Sequence, residues 1–155
     1  MIEIMKEKEI IMILILFLVL LIFAVSTYLI SKKFHKNYTK GNMDDMDGVE
    51  FEHFCADILK KRGFVDVEVT KGSGDYGIDI LAEKEGITYG IQCKCYQEAV
   101  GVKAIQEAYA GKEYYDRMVG AVMTNQYFTA PAVDAAKKLR ILLWDRGYLD
   151  RMIEE

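Results

Sequence analysis

Lys71-Gly72-Ser73-Gly74-Asp75-Tyr76-Gly77-Ile78-Asp79-Ile80, followed after a short connection by Tyr89-Gly90-Ile91-Gln92-Cys93-Lys94-Cys95, is the stretch around which this chain is organised. A glycine-rich loop runs into a strand carrying one acid, and a second strand presents an amide and an amine two positions apart. Side chains alternate faces along a strand, so Gln92 and Lys94 share a face, with Cα atoms roughly 7 Å apart. Asp79 falls on the neighbouring strand of the expected hairpin. An acid, an amide oxygen and an ammonium could then converge on one divalent ion and one water. From spacing alone, a solvated hairpin face carrying three polar residues explains the pattern equally well. The loop is not a phosphate-binding P-loop, because it lacks the terminal Gly-Lys-Ser/Thr and leads into a strand rather than a helix.

Outward from this stretch, the elements follow in order. Asp47 and Glu50 form a capping-box pattern at the start of a helix. Phe51, Phe54, Cys55, Ile58 and Leu59 then fall on one helical face, and Gly63 is placed to end the helix. Glu52 lies at the edge of that stripe, where periodicity alone reads it as a solvated acid. Val65, Val67 and Val69 alternate with polar residues, as in a half-buried strand. Strands at Ile78–Glu83 and Ile87–Tyr96 flank a Lys84-Glu85-Gly86 turn. A helix over Gly101–Tyr115 is expected to turn Val102, Ile105, Ala108 and Tyr109 inward. A strand at Val119–Thr124 follows, then a helix capped by Thr129 with Pro131 in its first turn. A strand at Ile141–Trp144 precedes a last helix capped by Asp145. This order predicts an α/β fold, a mixed sheet between helical layers. The domain would run over residues 47–155, about 110 residues, enough for a core of its own.

Residues 1–31 have a different character. The segment 10–30 is uncharged and apolar on every side. At ~21 residues it would span ~30 Å as a helix, the thickness of a bilayer core. A cleaved signal peptide would have a shorter apolar region ending in an A-x-A-like pattern, which Ala24-Val25-Ser26 imitates only weakly. Lys32, Lys33, His35, Lys36 and Lys40 follow directly, and by the positive-inside rule this flank stays in the cytoplasm. The expectation is a single-pass protein of the cell membrane: an anchor touching lipid through residues 10–30, a basic and polar linker over 32–46, and a cytoplasmic C-terminal domain.

Charge divides the same way. Residues 1–43 hold 6 Lys+Arg against 3 Asp+Glu, and residues 44–155 hold 14 against 21, so the folded part carries −7. An acidic domain argues against strong non-specific nucleic-acid binding, which depends on basic surface. It leaves room for a nuclease whose metal and local basic groups supply the electrostatics. Cys55, Cys93 and Cys95 are too few and too irregular for a disulfide framework. They fit a reducing compartment. A zinc site from His53, Cys55, Cys93 and Cys95 lacks paired-knuckle spacing; packing of Cys93 and Cys95 against a helix is the better reading.

Three motifs in order, Gly-x-x-Phe-Glu at Gly48–Glu52, Gly-Asp-x-Gly-Ile-Asp at Gly74–Asp79 and Gln-x-Lys at Gln92–Lys94, resemble the Mrr-like restriction endonuclease domain, a branch of the PD-(D/E)xK nucleases. The resemblance runs from about Asp47 to the C-terminus and includes the late strand at Val122–Asn125. It does not reach the apolar segment. It implies a restriction-endonuclease-like fold and a metal-dependent, type IV restriction-like endonuclease acting on DNA, with RNA not excluded. It implies Asp79 as the central metal carboxylate, and Lys94 as the group that orients the water, helps deprotonate it or stabilises charge. Gln92 would stand where most of the superfamily has an acid, and Glu52 would complete the metal environment. Asp75 would assist or, as favoured, fix the turn. The cofactor implied is Mg²⁺ or Mn²⁺, a hard cation that takes oxygen ligands. Double-strand cleavage would need two such sites, as in a homodimer. The competing reading is a catalytically inactive, membrane-tethered module with the same fold that binds nucleic acid or protein.

Overall fold

The computed structural model describes residues 12, 14–27, 40–70, 74 and 76–154. The chain divides into two units, Met1–Asn37 and Tyr38–Glu155. In the first, residues 14–27 form helix α1, whose large apolar side chains are exposed. Among the described residues no helix is long and apolar enough to cross a membrane. The expected span, residues 10–30, extends past the described residues at both ends, and Lys32, Lys33, His35 and Lys36 lie outside them.

The second unit opens with a 3-10 turn, Lys40–Asp45. Its Met43 is fully buried in the core, so the folded unit takes in part of the segment read as linker. A single apolar residue in a polar run leaves no periodicity to read. Helix α2, Gly48–Lys61, starts on the expected box: the Glu50 N–H donates to Asp47 Oδ1 at 2.8 Å, and Glu50 accepts from the Asp47 N–H at 3.4 Å. It ends in a Schellman motif, with Gly63 at φ +79° donating to the Lys60 carbonyl and Phe64 donating to that of Leu59.

Strands β1 (Val65–Val69), β2 (Ile80–Lys84) and β3 (Ile87–Lys94) form an antiparallel meander, to which β4 (Val119–Thr124) and β5 (Ile141–Trp144) add in parallel, in the order β1-β2-β3-β4-β5. Helices α3 (Val102–Tyr114) and α4 (Ala130–Leu139) make the two crossovers, and α5 (Arg146–Glu154) closes the chain. The expected mixed α/β sheet is therefore present. β1 departs from clean alternation: Val65 is 53% exposed, while Val67 and Val69 pack on the core. A bulge between Val65 and Glu68, with Asp66 at φ +49°, inserts an extra residue and turns Val65 outward.

Strand alternation assigns the two cores. Ile80, Ala82, Ile91, Cys93, Ala121 and Met123 face α2 and α5. Val122 and Ile141 face Ile105 and Ala108 of α3 and Ala132 and Ala136 of α4. Tyr109, expected inward, is 40% exposed; the inward side of α3 is instead its narrow side, Ala104, Ile105, Ala108 and Gly111.

That narrow side lets the loop before β2 press onto α3. A Cβ on Gly77 (φ +86°) would stand 2.7 Å from the Glu107 carbonyl oxygen. A Cβ on Gly111 would stand 2.6 Å from both the Tyr76 carbonyl oxygen and Ile78 Cγ1. Elsewhere the sheet ends are tied by Asn125, fully buried, which accepts from the Tyr96 N–H (2.9 Å) and donates to the Tyr96 carbonyl (2.9 Å) and to Asp44 (3.0 Å). Asp44 in turn takes a two-pronged ion pair from Arg146, both contacts at 2.7 Å. The Arg146 guanidinium holds the Asp44 carboxyl below the usual range.

In an exposed helix interior, Gly→Ala stabilises by about 0.5–1 kcal/mol. Gly111→Ala should do the opposite here, because the clash with the loop outweighs propensity. We expect a net loss of ~1–3 kcal/mol, read as a lower urea midpoint at unchanged slope. A gain in stability would show that loop and helix are not in contact.

Candidate active site

Asp79 sits at the junction of loop and strand. Its N–H donates to the Ile91 carbonyl at 2.9 Å, and its carbonyl accepts from the Thr70 N–H at 2.9 Å. The Thr70 hydroxyl also donates to the Ile78 carbonyl at 2.7 Å. The backbone is thus held on both sides. Asp79 directly precedes the Ile80–Ile91 pair that opens the ladder, and its side chain meets that of Gln92. Both are buried, at 5% and 4% exposure. A buried carboxylate needs donors, and Asp79 Oδ2 has two: the Cys93 N–H at 2.6 Å and the Gln92 side-chain amide. Gln92 Oε1 is left buried without a hydrogen-bond partner among the described residues. Leaving such an oxygen unpaired costs roughly 1–3 kcal/mol.

Lys94, two residues on, shares the Gln92 face as alternation requires. Its ammonium pairs with Glu107 Oε2 at 2.8 Å, and Lys103 approaches the same carboxylate at 3.6 Å. Burial alone pulls the Lys94 pKa down. The hydrogen bond and charge of Glu107, with smaller contributions from Tyr96 and Asp79, more than offset this and leave it above the ordinary lysine value. Glu107 thus favours the ammonium form of Lys94.

Glu52, from α2, lines the same cleft as Asp79, Gln92 and Lys94, a cavity of about 550 Å³ that Tyr76, Gly77 and Glu107 help to close. Four residues singled out from the sequence thus share one cavity; Asp75 lies outside the described residues. Cys93 points away from Lys94, into the core beside Cys55. Burial first, then Cys55, Asp79 and Glu52, push its thiol well above the ordinary range. Cys95 donates toward the Met43 and Met46 carbonyls. Among the described residues no group of three His, Cys, Asp or Glu is placed to hold a metal. An ion at this site would draw instead on mixed oxygen donors: the Asp79 and Glu52 carboxylates and the partnerless Gln92 Oε1. That donor set fits Mg²⁺ or Mn²⁺.

Glu107 is the site residue that sequence reasoning missed. With Lys103 it forms an i,i+4 pair of the kind that decorates solvated helices. Only the close packing of loop on helix reveals that it faces Lys94.

A restriction endonuclease family (Mrr_cat) matches residues 43–153. The chain belongs to this restriction endonuclease family. The match covers Glu52, Asp79, Gln92, Lys94 and Glu107, so the cleft lies wholly within the restriction endonuclease domain. No curated protein matches the chain. Among solved structures, a protein titled "Protein of Unknown Function AF1548" is similar at 27% identity and a TM-score of 0.51, covering 60% of this chain and 56% of its own. The DNA modification-dependent restriction endonuclease AspBHI shares 13% identity at a TM-score of 0.44, over 76% of this chain and 38% of its own. MspJI restriction endonuclease, in complex with a 27-mer oligonucleotide, shares 14% at 0.45, over 82% and 30%. This chain spans little more than half the length of the first and less of the others.

Glu107→Gln removes the carboxylate that keeps Lys94 charged and leaves burial to dominate. The Lys94 pKa should then fall. In the unaltered protein the ion pair contributes stability below the ordinary lysine pKa and loses it as pH rises through the raised value. NMR titration of the lysine ε-carbons checks this. Expected is one lysine titrating above the others, moving down in the variant; no movement would separate Lys94 from Glu107.

Proposed function

We propose that this restriction endonuclease domain is a metal-dependent enzyme that hydrolyses DNA phosphodiester bonds, anchored to the membrane through residues 10–30. The observation that carries the reading is Asp79 hydrogen-bonded to Gln92, both buried, in one cleft with Lys94 and Glu52. Polar groups are buried in this way at a cost, and the orphaned Gln92 oxygen is a donor with no structural task.

The residues divide the work as follows. Asp79, fixed by the Cys93 N–H and the Gln92 amide, and Glu52 from the facing helix would hold the cation together with Gln92 Oε1. When bound, Mg²⁺ or Mn²⁺ polarises a phosphate and lowers the pKa of water. An amide adds an oxygen without adding charge, so cation affinity is lower than a third carboxylate would give. Lys94, kept an ammonium by Glu107, offers positive charge to the phosphate as negative charge grows in the transition state. It orients water by donation rather than by taking its proton. Glu107 and Lys103 set the position of that ammonium.

Family membership supports a restriction role against foreign DNA, and a homodimer would supply the second site that double-strand cleavage needs. The apolar, outward side chains of residues 14–27 and the basic residues 32–36 support the anchor and a cytoplasmic domain. One observation favours a second reading. The Lys94–Glu107 pair and the −7 balance of residues 44–155 leave little free positive charge at the cleft, which suits a tethered binding module that cuts nothing.

Purified full-length protein should nick supercoiled plasmid with Mg²⁺ or Mn²⁺ and stop on chelation. Asp79→Ala and Lys94→Ala should each lower the rate by about 100-fold or more. Equal cleavage by all three would mark a contaminant, and plasmid binding without cleavage under any metal would favour the binding module. In cells, the same protein should stay in the membrane pellet through an alkaline carbonate wash; release into the supernatant would remove the anchor.

A further inference from the structure

A cavity larger than the cleft at Asp79 lies elsewhere in the domain. It has a volume of about 940 Å³ and lies at the turn end of the β2–β3 hairpin, lined by Lys84 and Tyr89 there and by Phe64, Trp144, Tyr148 and Arg151 from neighbouring elements. Asp79 is five residues back along the hairpin from Lys84, roughly 16 Å of strand. No residue lines both cavities.

Its walls are aromatic. Phe64 meets Tyr89 edge-on at 5.1 Å between centroids and Trp144 at 6.2 Å. Trp144 and Tyr148 lie nearly parallel, 11° apart, at 6.0 Å. Trp144 is 6% exposed and Tyr148 38%, so the rings grade from floor to rim. The charged part of the lining is mostly cationic: Lys61, Arg62, Lys84 and Arg151 against the single acid Glu85. In a domain that is acidic overall, that concentration runs against the composition.

Two of these cations, Lys84 and Arg151, are held by neutral partners. Lys84 Nζ donates to the Arg62 carbonyl at 2.9 Å and lies 5.1 Å over the Phe64 ring. The Arg151 guanidinium lies 5.4 Å over Tyr148. Neither Lys84 nor Arg151 forms an ion pair with an acid among the described residues. Carbonyls and rings orient a cation without cancelling its charge, so the site keeps its attraction for an anion.

We propose that this cavity is a second, non-catalytic site that binds a nucleotide, with its base against the Trp144, Tyr148 and Tyr89 rings and its phosphate on Lys84 and Arg151. A planar π-system joined to an anion matches an aromatic wall beside an unneutralised cationic rim, and the volume falls within the range of small-molecule sites. The same chemistry is offered by a free nucleotide and by one nucleotide of a single strand. The site does not depend on the nuclease reading, since a chain that cuts nothing would still bind here.

Trp144 is the chain's only tryptophan, so its fluorescence reports on this cavity alone. The full-length protein is titrated with AMP, with dTMP and with a short oligo(dT), using inorganic pyrophosphate as the anion without a base. Saturable quenching by nucleotide is expected, with pyrophosphate a much weaker competitor. Arg151→Gln, a surface change that spares the core, should weaken binding about tenfold, the loss of one charged hydrogen bond. Lys84→Gln, which keeps a donor for the Arg62 carbonyl, should do likewise. Asp79→Ala should leave the quench intact, which separates this site from the cleft. Tighter binding of oligo(dT) than dTMP assigns the site to a strand, and equal or weaker binding assigns it to a free nucleotide. No quenching at millimolar nucleotide, competition by pyrophosphate as strong as by AMP, or unchanged affinity in both variants would overturn the proposal.

Discussion

The structure depends on one steric constraint, the close seating of the Tyr76–Ile78 loop on helix α3. Two hydrogen atoms make it possible, those that Gly77 and Gly111 carry in place of side chains. With a methyl group at either position the loop would lift. Asp79 would then lose its contact with Gln92, and Glu107 its approach to Lys94. The contact joins an antiparallel hairpin to the first parallel crossover, the place where the sheet changes character. The cleft lies at that junction because side chains from strand, loop and helix reach a common space only there.

The electrostatics follow from the same seating. Asp79 is an acid buried with two donors, one from the backbone of the strand that also carries Gln92 and Lys94. Lys94 is a half-buried cation paired with an acid that the helix supplies. Neither charge stands alone, as low-dielectric surroundings require. One acceptor, Gln92 Oε1, remains over. At the other end of the hairpin the arrangement inverts. There Lys84 and Arg151 rest on a carbonyl and a ring instead of on acids, and the aromatic wall shields them. The hairpin thus has an oxygen-rich end and a cationic, aromatic end.

Much of this was legible in the sequence, and the reason is local. The capping box at Asp47 and Glu50, the strand alternation that places Gln92 with Lys94 and turns Cys93 away, and the Thr129 and Asp145 caps all act within four residues. What stayed hidden acts across the fold. Glu107 looks like a solvated helix acid until the loop is seated. Met43 and Asp44 look like linker until the core closes over the one and Arg146, a hundred residues on, pairs with the other. Val65 reads as inward because a bulge has no reliable sequence mark. The motif resemblance gathered Glu52 into the site when periodicity alone would have left it in solvent.

The central claim is that Asp79, Gln92 and Glu52 form a single oxygen-donor site for a divalent cation. The most direct measurement is titration of Mn²⁺ into isotope-labelled full-length protein, following paramagnetic broadening residue by residue. The Gln92 side-chain amide and the Cys93 backbone amide should broaden first, at the lowest metal concentration. Broadening spread over the surface acids, with those two signals intact, would contradict it.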